Sequence, residues 1–310
     1  MTEASAGGRF VVLYDHTERG SLMTSVDFSC EEKLMKECPE LHKRYCNSLF
    51  ASVRVLVNYR AIFPDYTDHS YLHAMNIINY CNRLIGENIY SMNCGEIYVL
   101  MMAAALHDTG MGISANDYRE FMSENDFGAD VDLSDDPDPN VIRDLHHELS
   151  GCFIRKYSML FDIPDEFVYP IVQAARGHRR TDLYSKEEYP EKYNAGGYTI
   201  CLPYIAALIR LADELDISAE RNICLDRSVN EVKNAYSLSV WKLHSAVKDV
   251  VLSDKKCYVF AAADSLNDSD REELSRWVNK LSGVIDYSSD VTEKRTPYVM
   301  KKRTVAVEYV

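Results

Sequence analysis

Residues 103–112 read Ala103-Ala104-Ala105-Leu106-His107-Asp108-Thr109-Gly110-Met111-Gly112, and an apolar helical run beginning near Ile97 ends at their His-Asp pair. An imidazole and a carboxylate side by side at a helix end can bind one metal ion. The glycines that follow let the backbone turn away. Alone, such a pair is most often a surface feature after a core helix, so a metal site needs partners elsewhere in the chain.

The composition indicates a protein with a large core and without an obvious targeting segment. The chain has 310 residues, of which 46% are hydrophobic. Its apolar runs are shorter than the roughly 20 residues that span a bilayer, and its first residues lack the basic start and apolar middle of a secretory signal. Nine cysteines are scattered without a Cys-x-x-Cys pair, which is typical of reduced thiols. We therefore expect a cytoplasmic protein.

The charge balance narrows the possible partners. There are 34 Lys and Arg against 48 Asp and Glu, a formal net charge of −14. This argues against non-specific binding to nucleic acid or to an anionic membrane as the main function. A small phosphorylated substrate remains compatible with it, because arginines or metal ions can reverse the field inside a pocket.

The pattern of apolar residues predicts a mainly α protein. Most of the chain over residues 31–244 has the spacing of amphipathic or buried helices, and Pro39, Pro164 and Pro203 are placed to start three of them. We predict an N-terminal segment over residues 1–30 and a helical domain over residues 31–244.

The last part of the chain has a different pattern. Residues 250–252, 256–262 and 298–310 resemble strands, and residues 268–286 resemble a helix. We predict a small α+β region over residues 245–310. Because the chain ends in strand-like sequence, we expect it to be a piece of a longer protein.

The candidate metal ligands each lie on or at the end of a separate predicted helix. In chain order they are His73, His107 with Asp108, His147, His178 and Asp213. Helical bundles build internal metal centres in this way, with one or two inward side chains from each helix. His69 lies one turn before His73 on the same helix face. The adjacent His146 and His147 point about 100° apart, so at most one of them faces a given centre.

This set resembles the HD-domain metal-dependent phosphohydrolases, whose pattern is a His, then His-Asp, then a distant helical Asp. Here the pattern reads His73, His107-Asp108, Asp213. Three segments look like the family's motifs, and the first resembles the form of its motif found in cyclic-nucleotide phosphodiesterases. They are Asp68-His69-Ser70-Tyr71-Leu72-His73-Ala74, Leu106-His107-Asp108-Thr109-Gly110-Met111-Gly112, and Leu211-Ala212-Asp213-Glu214-Leu215-Asp216 followed by Ala219-Glu220-Arg221. The resemblance covers about residues 45–225.

Two further histidines are similar to those of bimetallic HD proteins, including the HD-GYP branch. The segment His147-Glu148-Leu149-Ser150-Gly151 is similar to that branch's His-Pro-x-x-Gly, which favours His147 over His146 as a ligand. After His178 the chain has Arg179-Arg180-Thr181, without the Gly-Tyr-Pro signature. The chain therefore looks like an HD branch distant from HD-GYP, whose members precede an ATPase module in longer proteins.

The resemblance implies an HD-type helical bundle that cleaves a phosphate ester or phosphodiester of a nucleotide-like substrate with metal-activated water. It implies two divalent ions, for which Mn, Fe, Mg and Zn are all suitable. The first would be held by His73, His107, Asp108 and Asp213. Asp108 would bridge to the second, held also by His147 and His178.

The resemblance also suggests roles for residues around the ions. His69 is either a general acid that protonates the leaving oxygen or a ligand, and we favour the acid. Arg179 and Arg221 are candidates to bind phosphate in a bidentate manner. For Arg180 a surface role is the better interpretation.

Two other interpretations stay open. The first is a catalytically weak HD-type nucleotide sensor, acting as a regulatory module of a larger protein. The second is a structural helical domain with buried polar networks, which predicts no bound metal and no pocket lined by these residues. Besides a small phosphorylated or nucleotide substrate, the expected partners are a second copy in a homo-oligomer or a fused or associated regulatory module.

Overall fold

The structure is a computed structural model that describes residues 29–67, 69–127, 138–217, 232 and 234–310. Arg221 and almost all of the predicted N-terminal segment lie outside these residues. The helices are α1 (Ser29–Glu37), α2 (Pro39–Leu56), α3 (Tyr59–Ile62), α4 (Tyr71–Ile85), α5 (Cys94–Leu106), α6 (Ala115–Glu124), α7 (Pro139–Lys156), α8 (Asp165–Arg176), α9 (Leu202–Leu215), α10 (Ala235–Ala246) and α11 (Asp268–Arg295). The strands are β1 (Tyr193–Ala195), β2 (Tyr198–Ile200), β3 (Val247–Leu252), β4 (Lys256–Ala261) and β5 (Thr304–Tyr309).

Helix α5 is the centre of the bundle. All of its residues are buried, as expected for a helix that is apolar on every side. It packs against α1, α2, α4, α8 and α9. At its N-terminus Asn93 and Glu96 form a capping box, which satisfies two backbone N–H groups. At its C-terminus His107 is the cap residue, so the His-Asp pair lies inside the bundle.

The predicted mainly α fold with a small α+β region near the C-terminus is confirmed. Strand β4 pairs antiparallel with β3 and parallel with β5, in the order β3-β4-β5. Helix α11 continues to Arg295, beyond the predicted end at residue 286, and packs against α9 and α10. The sheet and α11 therefore lie against the helical bundle, and the boundary at residue 245 stays a prediction.

The helix starts follow the chain's local chemistry. Pro39 and Pro203 lie in the first turns of α2 and α9, where the missing N–H has no intrahelical role. Pro164 precedes α8 as its N-cap residue, one position earlier than predicted. Within the described residues, no single helix is long and apolar enough to cross a membrane. One bent pair, Cys94–Gly112 with Ala115–Glu124, reaches that length and composition when the two are counted together.

Gly110 allows α7 to approach the turn after Asp108. Its N–H donates to Ser150 Oγ at 2.8 Å, and a Cβ at this position would clash with the His146 carbonyl oxygen and the Ser150 nitrogen. We expect Gly110→Ala to lower the free energy of unfolding by about 1–3 kcal/mol because backbone would have to move. Gly283→Ala is the control: its Cβ would meet nothing within 4 Å on α11, so it should stabilise by about 0.5–1 kcal/mol. Urea unfolding measures both, and equal effects would contradict this account.

Candidate metal centre

Five elements bring their polar residues together at one end of α5. His73 lies in the first turn of α4, His107 and Asp108 follow α5, and His146 lies within α7. His178 follows the end of α8, and Asp213 lies in the last turn of α9. All are buried except Asp213, whose side chain is 19% exposed. The structure therefore places in one cluster every predicted metal ligand except His147.

One group of ligand atoms surrounds His73 Nε2. This nitrogen is 3.3 Å from His107 Nε2, 3.3 Å from Asp213 Oδ1 and 3.5 Å from Asp108 Oδ2. His107 Nε2 is also 3.3 Å from Asp108 Oδ2. These four side chains are the set that the sequence predicts for the first ion.

A second group lies on the other side of Asp108. His146 Nε2 is 2.8 Å from His178 Nε2. Asp108 Oδ1 is 3.5 Å from His146 Nε2 and 3.8 Å from His178 Nε2. One carboxylate thus directs a different oxygen to each group.

Hydrogen bonds at Nδ1 turn every one of these imidazoles inward. His107, His146 and His178 each donate from Nδ1 to the carbonyl oxygen three residues earlier, at 2.8, 2.5 and 2.6 Å. His73 Nδ1 lies 2.6 Å from Asp216 Oδ2. A carbonyl oxygen can only accept, so in the neutral rings of His107, His146 and His178 the proton is on Nδ1 and the lone pair of Nε2 faces the cluster.

The donor set fits divalent ions. Lone pairs that face one another at 2.8 and 3.3 Å in a buried site repel unless a cation lies between them. Ligands at about 2.1 Å from a common ion are about 3.0–3.4 Å apart in octahedral or tetrahedral geometry, close to most distances within the two groups. The groups could therefore hold two ions that share Asp108.

The electrostatics favour the protonation states that bind metal. Burial lowers the pKa of His146 to about 4 and that of His178 well below its usual range. Burial opposes ionisation of Asp108 and Asp213, but the histidines outweigh it: His107 and His73 hold the pKa of Asp108, and His73 that of Asp213, well below the usual range. The neutral forms of His146 and His178 and the ionised forms of Asp108 and Asp213 are the forms that coordinate metal ions.

The structure disagrees with the choice of His147 over His146. Among the described residues, His147 belongs to neither group of converging ligand atoms: its Nε2 is 3.8 Å from Glu148 Oε1, and its buried Nδ1 has no hydrogen-bond partner there. Adjacent helix residues diverge by about 100°, so only one could face Asp108. The signal was in the apolar stripe of α7, because His146 lies between the fully buried Ile142 and Leu149.

A cavity of about 300 Å³ opens over the cluster, and Asp108, His146 and Asp213 line it. His69 also lines it, and this residue belongs to neither group of converging ligand atoms in the described part of the chain. His69 Nδ1 donates to the Thr67 carbonyl oxygen at 2.7 Å. The predicted phosphate ligand Arg179 is a lining residue as well.

Sequence reasoning missed three contributions to this site. Asp216 accepts from His73 and, at 3.0 Å, from Asn76 Nδ2, and so fixes the ring of one ligand. Arg143 lines the cavity three residues before His146. The far wall comes from α10 and α11 and includes Trp241 and Trp277. The sequence did contain a signal for two of them: Asp216 lies three residues after Asp213, and Arg143 lies three residues before His146, so each shares a helix face with a candidate ligand.

Comparison with known protein families matches residues 63–287 to the HD-CE family. The chain belongs to this family. The resemblance to HD-domain proteins is therefore confirmed, and the match includes all the residues of both ligand groups. No curated protein and no solved structure matched the chain.

Replacing each of the two adjacent histidines by alanine tests which of them belongs to the second group of ligands. We expect His146→Ala to bind about one Mn²⁺ fewer per chain than the unchanged protein, because Asp108 and His178 alone give too few ligands. His147→Ala, the matched control, should keep its full metal content because its ring lies outside both groups. Elemental analysis after dialysis measures both. Loss of metal from the His147 variant alone would reverse the assignment.

Proposed function

We propose that the protein is a metal-dependent phosphohydrolase that cleaves a phosphate ester or phosphodiester of a nucleotide-like substrate. The observation that carries the proposal is the position of Asp108 between two groups of buried histidines at the floor of a cavity. In dinuclear hydrolases the ions are about 3.5–4 Å apart, a separation that one carboxylate can bridge. Membership of an HD family agrees with this chemistry.

The ligand assignment follows the two groups. His73, His107, Asp108 and Asp213 would hold one ion, and Asp108, His146 and His178 the other. When bound, such ions supply an activated water and neutralise charge on phosphoryl oxygens. Asp216 keeps His73 in the tautomer and orientation needed for binding.

Two arginines of the cavity would bind the substrate's phosphate. Arg143 and Arg179 line the same cavity as Asp108, and a guanidinium can donate two parallel hydrogen bonds to a phosphate. They provide positive charge in a chain whose net charge is −14. Arg221 keeps its proposed role in phosphate binding on the motif alone, since it lies outside the described residues.

His69 would act as the general acid. Its Nδ1 donates to the Thr67 carbonyl, so the second proton of the charged ring is on Nε2. From the cavity wall, that proton can be passed to the leaving oxygen as the bond to phosphorus breaks.

The rest of the cavity suits an organic group attached to the phosphate. Its volume of about 300 Å³ is at the lower end of small-molecule sites. Val240, Trp241 and Trp277 are apolar or aromatic members of its lining, beside the charged and polar ones. Aromatic side chains in the lining support a substrate with an aromatic or apolar group attached to its phosphate.

The main test joins metal content to turnover. We expect the Mn²⁺-loaded protein to release phosphate or a nucleoside monophosphate from a panel of nucleotides and cyclic nucleotides. Asp108→Asn should lower kcat/KM at least about a thousandfold, which corresponds to about 4 kcal/mol of transition-state stabilisation, and should lose bound metal. Asp117→Asn is the control, because Asp117 is a buried carboxylate of the same bundle that pairs with Lys156 at 2.9 Å, away from the cavity.

Two results would contradict the proposal. A metal-loaded protein that binds nucleotides without cleaving them would favour the regulatory module. A folded protein that binds neither metal nor nucleotide would favour the structural domain.

A second experiment separates the two roles of His69. As a general acid, His69→Gln should keep its metal content and lose about 10²–10⁴-fold in kcat with an alkyl leaving group. With a nitrophenyl ester the loss should be much smaller, because nitrophenolate leaves without protonation. A loss of metal in this variant would instead identify His69 as a ligand.

A further inference from the structure

A third group of ligand-type side chains lies on α1 and α2. It consists of Glu31, His42 and Cys46, and their ligand atoms all lie within 4.8 Å of one another. It shares no residue with the cavity or with the buried centre. We propose that these three side chains bind a single transition-metal ion of the zinc type.

The helices bring the three side chains together by simple geometry. His42 and Cys46 are four residues apart in α2, so they lie on one helix face. Helix α1 packs against α2 and places Glu31, from its first turn, over that face. His42 Nε2 is 3.1 Å from Glu31 Oε1 and 3.7 Å from Cys46 Sγ.

These distances match a tetrahedral ion. With bonds of about 2.3 Å to sulfur and about 2.0–2.1 Å to nitrogen and oxygen, ligand atoms are about 3.3 Å (N to O) and about 3.6 Å (N to S) apart. Both observed distances are within a few tenths of an ångström of these values. Binding therefore needs little movement of the imidazole.

The types of ligand select the ion. A thiolate with an imidazole favours Zn²⁺ or another soft ion over Mg²⁺, Ca²⁺ or Mn²⁺. The buried centre contains only histidine and aspartate among its described ligands, so the two sites differ in preference. Three protein ligands also leave a fourth position for water.

The surroundings allow an ion to enter. The side chains of His42 and Glu31 are 19% and 32% exposed, and Cys46 is exposed, whereas most cysteines that the structure describes are buried. A hydrogen bond between Glu31 and His42 would be enough to join α1 to α2. It does not explain a thiol placed at ligand distance from the same imidazole nitrogen. A bound ion would instead cross-link the two helices through all three side chains.

Cobalt substitution in the full chain tests the site. Co²⁺ bound by a thiolate has a charge-transfer absorption in the near ultraviolet, which histidine and carboxylate ligands do not give. We expect this band in the metal-stripped protein titrated with Co²⁺. Cys46→Ser should abolish it, and Cys38→Ser should retain it. Cys38 is the matched control, since it is partly buried at the start of α2, and its thiol lies 2.9 Å from Tyr198 Oη.

Zinc affinity gives a second readout. Competition with a chromophoric chelator should show one Zn²⁺ site weakened by about a hundredfold in His42→Ala, because one of three ligands is lost. Absence of the cobalt band, or a band that persists unchanged in Cys46→Ser, would overturn the proposal. The site is independent of the proposed phosphohydrolase: Asp108→Asn should keep the cobalt band, and Cys46→Ser should keep the activity. Loss of the cobalt band in Asp108→Asn would show that the band comes from the buried centre, and this result would also overturn the proposed zinc site.

Discussion

The candidate centre depends on the hydrogen bonds at Nδ1 of its four histidines. Three of these bonds go to a carbonyl oxygen three residues earlier in the same chain segment, and the fourth goes to Asp216. Each bond fixes the tautomer and the direction of a ring, so that Nε2 points to Asp108. Without them, four buried imidazoles could rotate, and their lone pairs would have no common target.

Helix α9 supports this arrangement from one side. Arg210, Asp213 and Asp216 follow one another at intervals of three residues. Arg210 donates to the Gly177 and Thr181 carbonyl oxygens at 2.8 and 2.7 Å, and so holds the turn that carries His178. Asp213 approaches His73 Nε2, and Asp216 holds the opposite side of the same ring. One helix therefore supplies a candidate ligand and positions the ligands from α4 and from the end of α8.

The sequence predicts the parts of the fold and the site that depend on local pattern. The apolar run of α5, the pairing of His107 with Asp108, and the strands and helix near the C-terminus are all local features, and the structure contains them. The choice between His146 and His147 depended on how α7 is rotated about its own axis. Neighbouring side chains on a helix point only about 100° apart, and the sequence does not fix that rotation closely enough. The contact of Asp216 with His73 joins residues 143 apart in sequence. No local pattern could place Trp277 in the cavity wall, because that contact depends on how α11 packs on α9.

The cavity itself joins parts of the chain that the sequence separates. Residues from α7, from α9 and from the turn after α5 line its floor, whereas much of its far wall comes from α10 and α11. Helix α11 lies beyond the domain boundary predicted at residue 245. Glu214 connects the two: burial raises its pKa, and Lys280 of α11 pairs with it at 2.7 Å. Its neighbour Asp213 faces His73 instead. The two adjacent carboxylates at the end of α9 thus face different partners: Asp213 faces the candidate metal centre, and Glu214 binds Lys280 of α11, the helix that lines the far wall of the cavity. The packing of α11 on α9 therefore helps to define the space above the centre.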